Sequence, residues 1–247
     1  MTRTTPSPSS SAIPGPDSPP ALDPSQFTLV SYNLWHNKAA SELSSLVETA
    51  KADLLCLQEA TTTDLPDTIG GLHRVVATGA NRLGLALYAR DDRFEVHETR
   101  TVSLGKSMHD RVMSPTAERL VAARLVDRVT AKQFVVASFH AAPLSARNSV
   151  RRTQIRAAHG HLDALGAGMP QIMIGDYNYP WFASGLARML RATGHTLTRP
   201  TTGTYRNYGV VRGKFDLATS IGATLGELRA LAKGASDHFP IVCSVTV

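Results

Sequence analysis

The sequence has no apolar run long enough to cross a bilayer, because charges or turn residues interrupt each hydrophobic stretch before about 18 residues. Its N-terminus lacks the apolar core of a secretory leader, so the cytoplasm is the expected location. Cysteine is scarce. Cys56 and Cys243 each sit inside an apolar stretch (DLLCLQ and PIVCSV), and no CxxC pair occurs. That excludes a disulfide framework and a thiolate zinc site, and leaves two buried free thiols. Internal repeats are absent, which excludes solenoids and propellers. Acids are in the minority, 20 against 26 Lys and Arg, for a formal net charge of +6. This tilts the protein toward anionic partners such as phosphates or nucleic acid.

What remains is an ordinary globular composition. The chain has 247 residues, 43% of them hydrophobic, enough for one large core. Residues 1–26 hold seven of the 14 prolines and many serines, and read as a disordered tail. A single domain is expected over 27–247. FTLVSYNLW reads as a strand, AASELSSLVETAK as a helix, and ADLLCLQEA as a strand covered on both faces. Strands are predicted near Leu72–Thr78, Leu83–Arg90, 94–103, 119–126 and 133–139. Residues 104–117 have no period and read as a loop. A helix is predicted from Asn148 to Leu165, with an apolar stripe of Val150, Ile155, Ala158, Leu162 and Leu165. QIMIG is a strand and WFASGLARMLRAT a helix. GATLGELRAL fits a helix or a strand, and GKFDLATS and PIVCSVTV are the last strands. Hairpins mixed with β-α-β units imply an α/β or α+β sandwich: two mixed sheets packed together with helices outside.

Several strand-like runs end in polar groups poorly suited to a core. Asn33 follows LVSY, Glu59 follows DLLCLQ, and His140 follows VVASF. Asp176 and Asn178 follow IMIG, and Asp237 and His238 precede FPIV, with Asp216 inside KFDLATS. Each alone is ordinary: an Asx turn, a solvated acid, a hydrogen-bonded histidine. Together they form a set. Carboxylates with an amide oxygen suit a hard divalent cation, Mg²⁺ or Mn²⁺. Two histidines can work as acid or base near neutrality. A divalent ion beside such groups points to phosphoryl chemistry.

The ordered blocks SYNLW, DLLCLQE, SFHAAP, IMIGDYNYP, KFDLATS and SDHFPIV resemble the endonuclease/exonuclease/phosphatase (DNase I-like) superfamily over about residues 27–247. The resemblance implies an α/β four-layered sandwich, two mixed sheets flanked by helices. It implies Glu59 as the central metal ligand with Asn33 beside it, and Asp237 as a second metal-facing carboxylate. It implies that Asp176 handles the attacking water, Asn178 holds the phosphate, His238 pairs with Asp216, and His140 lies across the phosphate. SFHAAP lacks the asparagine-bearing turn of AP endonucleases and is similar to the DNase I, sphingomyelinase and deadenylase side. VRGKFDLATS lacks the Pro-x-Trp-Cys-Asp-Arg block of inositol-polyphosphate 5-phosphatases. Residues 79–90 hold no acid to support His140.

The expected activity is Mg²⁺-dependent (or Mn²⁺-dependent) hydrolysis of phosphodiesters, by a nuclease acting on nucleic acid. The alternatives are a phosphatase or phospholipase C-like hydrolase of small or lipid phosphoesters, and a non-catalytic binding module. Arg111 and Arg119 are candidate phosphate binders. Arg147 and Arg151, four apart, are either substrate contacts or a solvated basic face. Tyr205 and Arg206 read as a base or head-group contact, or as a turn with a packed tyrosine.

Overall fold

The structure, a computed structural model, describes residues 23–79, 83–105, 118–207 and 211–247. Arg111, the tail up to residue 22 and most of the expected 104–117 loop lie outside the described residues.

Two sheets carry the molecule. The first holds β1 (Gln26–Asn33), β2 (Leu54–Ala60), β3 (Thr68–Ile69), β4 (Leu72–Ala77), β5 (Gly84–Ala89), β14 (Thr224–Leu225), β15 (Arg229–Ala230) and β16 (Ile241–Thr246). Its order is β14-β16-β1-β2-β5-β4-β3, with β15 also on β16. The second holds β6 (Phe94–Ser103), β7 (Glu118–Asp127), β8 (Gln133–His140), β9 (Gln171–Asp176), β10 (Thr196–Thr198) and β13 (Asp216–Ile221). Its order is β10-β13-β9-β8-β7-β6. A separate hairpin joins β11 (Tyr205–Asn207) to β12 (Val211–Gly213).

Each sheet contains one parallel pair, β1 with β2 and β8 with β9. A parallel pair needs a crossover, and a helix supplies it. Helix α1 (Leu43–Ala50), entered through a 3-10 turn at Ala40–Glu42, bridges β1 and β2. Helix α2 (Asn148–Leu165) bridges β8 and β9, and α3 (Ala183–Arg191) follows β9. The crossovers bring the carboxyl ends of each parallel pair to one edge, where α/β sheets place their ligands.

Three apolar clusters define the layers. Leu29, Cys56, Leu87, Val121, Phe134, Val136, Ile172 and Cys243 fill the space between the sheets. Phe139, Ile155, Ala158, Leu162 and Leu186 join the second sheet to α2 and α3. Val30, Leu43, Val47, Leu55 and Tyr88 join the first sheet to α1. The order is helix, sheet, sheet, helices, the sandwich expected from the sequence. Both thiols are free and buried in the central layer, and burial pushes Cys243 up to about 12. No helix among the described residues is long and apolar enough to span a membrane.

Some local expectations change. The buried face of α2 comprises Ile155, Ala158, Leu162 and Leu165 with the polar Arg151, Gln154 and His159, whereas Val150 is only half-buried. The ambiguous 222–231 segment forms β14 and β15. It lies along β16 so closely that a Cβ on Gly226 would stand 2.3 Å from Ser244 Oγ. Strands β3, β10, β11 and β12 are two or three residues long, too short to show a period.

Candidate active site

The polar strand ends meet on one rim of the sandwich. In the second sheet His140 pairs with Asp176, and Asp176 with Asp216, forming a row across three adjacent strands. Gly175 permits that row. Its φ is 145°, and a Cβ there would lie 2.1 Å from the Phe139 carbonyl oxygen. In the first sheet Asn33 closes β1 opposite Gln58. Glu59 follows where the β2–β5 register shifts between Leu57 and Ala60, with a φ of 52°. Such a bulge re-aims a side chain out of strand alternation. Glu59 Oε1 thereby stands 3.4 Å from Asn33 Nδ2 and 3.8 Å from His140 Nε2.

Asp176 is the centre. Its Oδ1 accepts from the Asn178 backbone N–H at 2.8 Å. Its Oδ2 accepts from Asn33 Nδ2 at 3.2 Å and Asn178 Nδ2 at 3.1 Å. The same oxygen lies 3.5 Å from His140 Nε2 and 3.7 Å from His238 Nε2. Burial raises its pKa to about 7; His238 opposes that rise, and Asp216 and Glu59 add to it. A group titrating near neutrality can take a proton at the pH where it works.

The two histidines differ. His238 is buried, which disfavours its charge. Asp216, Asp176 and Asp237 more than offset this, and its pKa is pushed up to about 10. Its Nδ1 is 2.9 Å from Asp216 Oδ2, so the protonated ring donates there and keeps Nε2–H toward Asp176. His140 moves the other way. Burial, then Arg119, His238 and His36, hold it well below the usual imidazole range, so it is neutral.

Supporting groups lock these side chains. Thr204 Oγ1 accepts from the backbone N–H of Phe215 at 3.0 Å and of Asp216 at 3.1 Å. Ser236 Oγ donates to the Asn33 carbonyl at 2.7 Å and accepts from the His238 N–H at 3.1 Å. Glu42 accepts from the Ala235 N–H at 2.7 Å and from the Tyr32 hydroxyl at 3.2 Å. Beneath the site, Gln58 Nε2 donates to Ser138 Oγ at 2.8 Å and ties the two sheets together. Sequence reasoning misses Thr204 and Glu42. A lone loop threonine and an acid opening a helix carry no signal, since their partners lie 12 and 193 positions away.

Glu59, His140 and Asp176 offer ligating atoms all within 4.8 Å of one another, as do Asp176, Asp216 and His238. In the second group His238 and Asp216 are engaged with each other. The first group presents two carboxylates whose like charges help raise Asp176, and that donor chemistry fits a hard divalent cation.

A model of the endonuclease/exonuclease/phosphatase family matches residues 30–238. The chain belongs to that family. Its members hydrolyse phosphoesters with a divalent metal, and this chain carries acidic and imidazole groups able to hold one. Among solved structures, an endonuclease/exonuclease/phosphatase from Bacteroides vulgatus superposes with a TM-score of 0.73 at 14% identity, covering 90% of this chain and 99% of that one. A mannosyl-6-phosphatase from Bacteroides thetaiotaomicron gives 0.71 at 15% identity, covering 90% and 100%. D. rerio TDP2 complexed with a single-strand DNA product gives 0.71 at 15% identity, covering 90% and 99%. These likenesses establish the DNase I-like fold. No curated protein matches the sequence.

On this rim Asn33, Glu59, His140, Asp176, Asn178, Asp216 and His238 converge. Asp237 belongs to neither metal-competent cluster; it adds to the charge that holds His238 protonated. Arg119 is buried, and its Nη1 donates to the carbonyls of His140 at 3.1 Å and Ala141 at 3.0 Å. Arg151 is buried too, donating to Asn148 Oδ1 and to the Ala142 and Pro143 carbonyls, so it fastens the loop after His140. Buried against backbone, it forms no solvated face. Arg147 is exposed at the N-cap of α2, outside the helix, and so does not share a helical face with Arg151. A cavity of about 360 Å³ lined by Arg156, His159, Asp163 and His195 lies apart, and no candidate site residue lines it.

Proposed function

We propose that the protein is a Mg²⁺-dependent (or Mn²⁺-dependent) phosphodiesterase acting on nucleic-acid strands. The observation carrying this reading is the meeting of Glu59, His140, Asp176 and the Asp216–His238 pair on one buried rim built from both sheets. Glu59, with Asn33 beside it, is the group that would hold the cation. Bound there, it would supply neutralisation of phosphate charge. Asp176 orients a water for in-line attack and accepts its proton, as a carboxyl poised near 7 can. Asn178 holds a non-bridging oxygen through its amide. His238, kept protonated by Asp216, donates to the charge that grows on the phosphoryl oxygens. Neutral His140, whose Nε2 stands 3.5 Å from Asp176 and 3.8 Å from Glu59, offers an N–H to a phosphoryl oxygen. The ester P–O bond breaks as the water oxygen bonds to phosphorus, and the departing oxygen takes up a proton from solvent to leave as the alcohol. The net basic charge supports a polyanionic substrate.

The test is cleavage of single- and double-stranded DNA and RNA with Mg²⁺ and with EDTA. Metal-dependent strand cleavage, lost in Glu59→Gln, is expected. Hydrolysis confined to small or lipid phosphoesters would overturn the nucleic-acid part.

A further inference from the structure

Two large aromatics stand in water just past the site. Trp181 is 56% exposed and Phe182 74% exposed, whereas every other phenylalanine, tyrosine and tryptophan among the described residues is buried or half-buried. They follow Asn178 by three and four residues, a span of at most about 11–14 Å. Phe182 has a φ of 61°, a left-handed conformation costly for a bulky residue. Strain of that kind clusters at functional sites. Tyr179 is buried before the segment and Leu186 after it, so both of its ends are anchored in the core.

The β11–β12 hairpin borders this segment. A Cβ on Gly213 would stand 3.0 Å from Pro180 and 2.9 Å from the Phe215 ring, so hairpin and aromatic segment touch. The inner face of the hairpin covers the site: Tyr205 lies 4.5 Å from the Phe215 ring and 4.8 Å from the His238 ring. On the other face Arg206 pairs directly with Arg212, and both are exposed. Like charges directly opposite each other weaken a strand pair. A two-stranded hairpin is marginal to begin with. An anion on that face would relieve the repulsion.

Exposed π-faces beside a candidate phosphoester site, in a protein of net positive charge, match the chemistry of single-stranded nucleic acid, whose bases stack while its phosphates pair with cations. Resting on the proposed phosphodiesterase reading, we infer that Trp181 and Phe182 form a stacking platform for an unpaired base next to the scissile phosphate, with Arg206 and Arg212, on the outer face of the hairpin, a separate contact for phosphates further along the strand. Neither aromatic touches the reacting atoms; both are specificity-determining residues.

Trp181 is one of two tryptophans, so its emission reports the contact. The other, Trp35, lies under the Lys38 ammonium, 3.2 Å from the ring centroid. The experiment titrates W35F protein, with Mg²⁺, with a short single-stranded phosphorothioate oligonucleotide. A matched abasic strand and anionic phospholipid vesicles are the comparisons. If W35F does not fold, the difference between wild type and W181A is read instead. Quenching by the base-bearing strand and not by the abasic one is expected. The W181A/F182A variant should bind the base-bearing strand roughly tenfold to a hundredfold more weakly, with abasic binding unchanged. Equal quenching by both strands, or quenching by vesicles alone, overturns the inference. Strand cleavage without base-dependent quenching sinks the platform and leaves the nuclease reading standing. Base-dependent quenching without cleavage upholds the platform and removes that reading.

Discussion

Asp216 and His238 illustrate how one contact sets a protonation state. The bond from His238 Nδ1 to Asp216 Oδ2 is 2.9 Å, and Asp216 is the foremost of the charges opposing desolvation. Asp216→Asn should therefore let the imidazole titrate well below about 10. Turnover should fall by roughly a hundredfold to ten-thousandfold with little change in KM, checked by steady-state kinetics and by NMR titration of the ring. His159, far from the site, yields a second prediction. Burial, with His195 stacked at 3.9 Å, depresses its pKa to about 3. The unfolded chain then binds a proton that the folded chain refuses. Stability from this group is complete above the ordinary histidine pKa of about 6.5 and is lost as pH falls toward 3. At pH 5 the loss is about 2 kcal/mol. His159→Asn should flatten the decline in urea melts between pH 7 and 5.

Elements show which features a sequence exposes. Strands β5 to β9 and helix α2 were legible because each is long enough to display its period, and α2 runs from Asn148 to Leu165 as predicted. The 222–231 segment was not, because its pairing partner β16 lies later in the chain and decides the outcome. The parallel pairing of β8 and β9 depends on Gly175, which has both a left-handed φ and no room for a Cβ. Gly175→Ala should destabilise the fold by about 2–4 kcal/mol, a backbone-strain effect large for one methyl group. Thermal melts check the loss, and activity should fall further than stability because His140 and Asp176 face each other across that step.

Over the whole molecule, the site exists only where both sheets meet. The first sheet supplies Asn33 and Glu59, and the second supplies His140, Asp176 and Asp216. A cation held by Glu59 on that rim, as proposed, would bind the folded state alone. At a hundredfold excess over its Kd it would add about 2.7 kcal/mol, or on the order of 5–10 °C in Tm. Mg²⁺ should raise the melting temperature of wild type, EDTA should reverse it, and Glu59→Gln should abolish it, as calorimetry can show.

By itself the sequence determined the layered α/β class, most of the long elements and the residue types of the site. Periodicity and strand-end polarity are local properties, written within ten residues of one another. Only the tertiary structure decided which polar groups meet: that Asn33 and Asn178 both donate to Asp176, that Asp216 pairs with His238, and that Arg119 and Arg151 donate to backbone carbonyls. Those roles depend on distance and burial between positions far apart in the chain, and packing the two sheets together is what sets them.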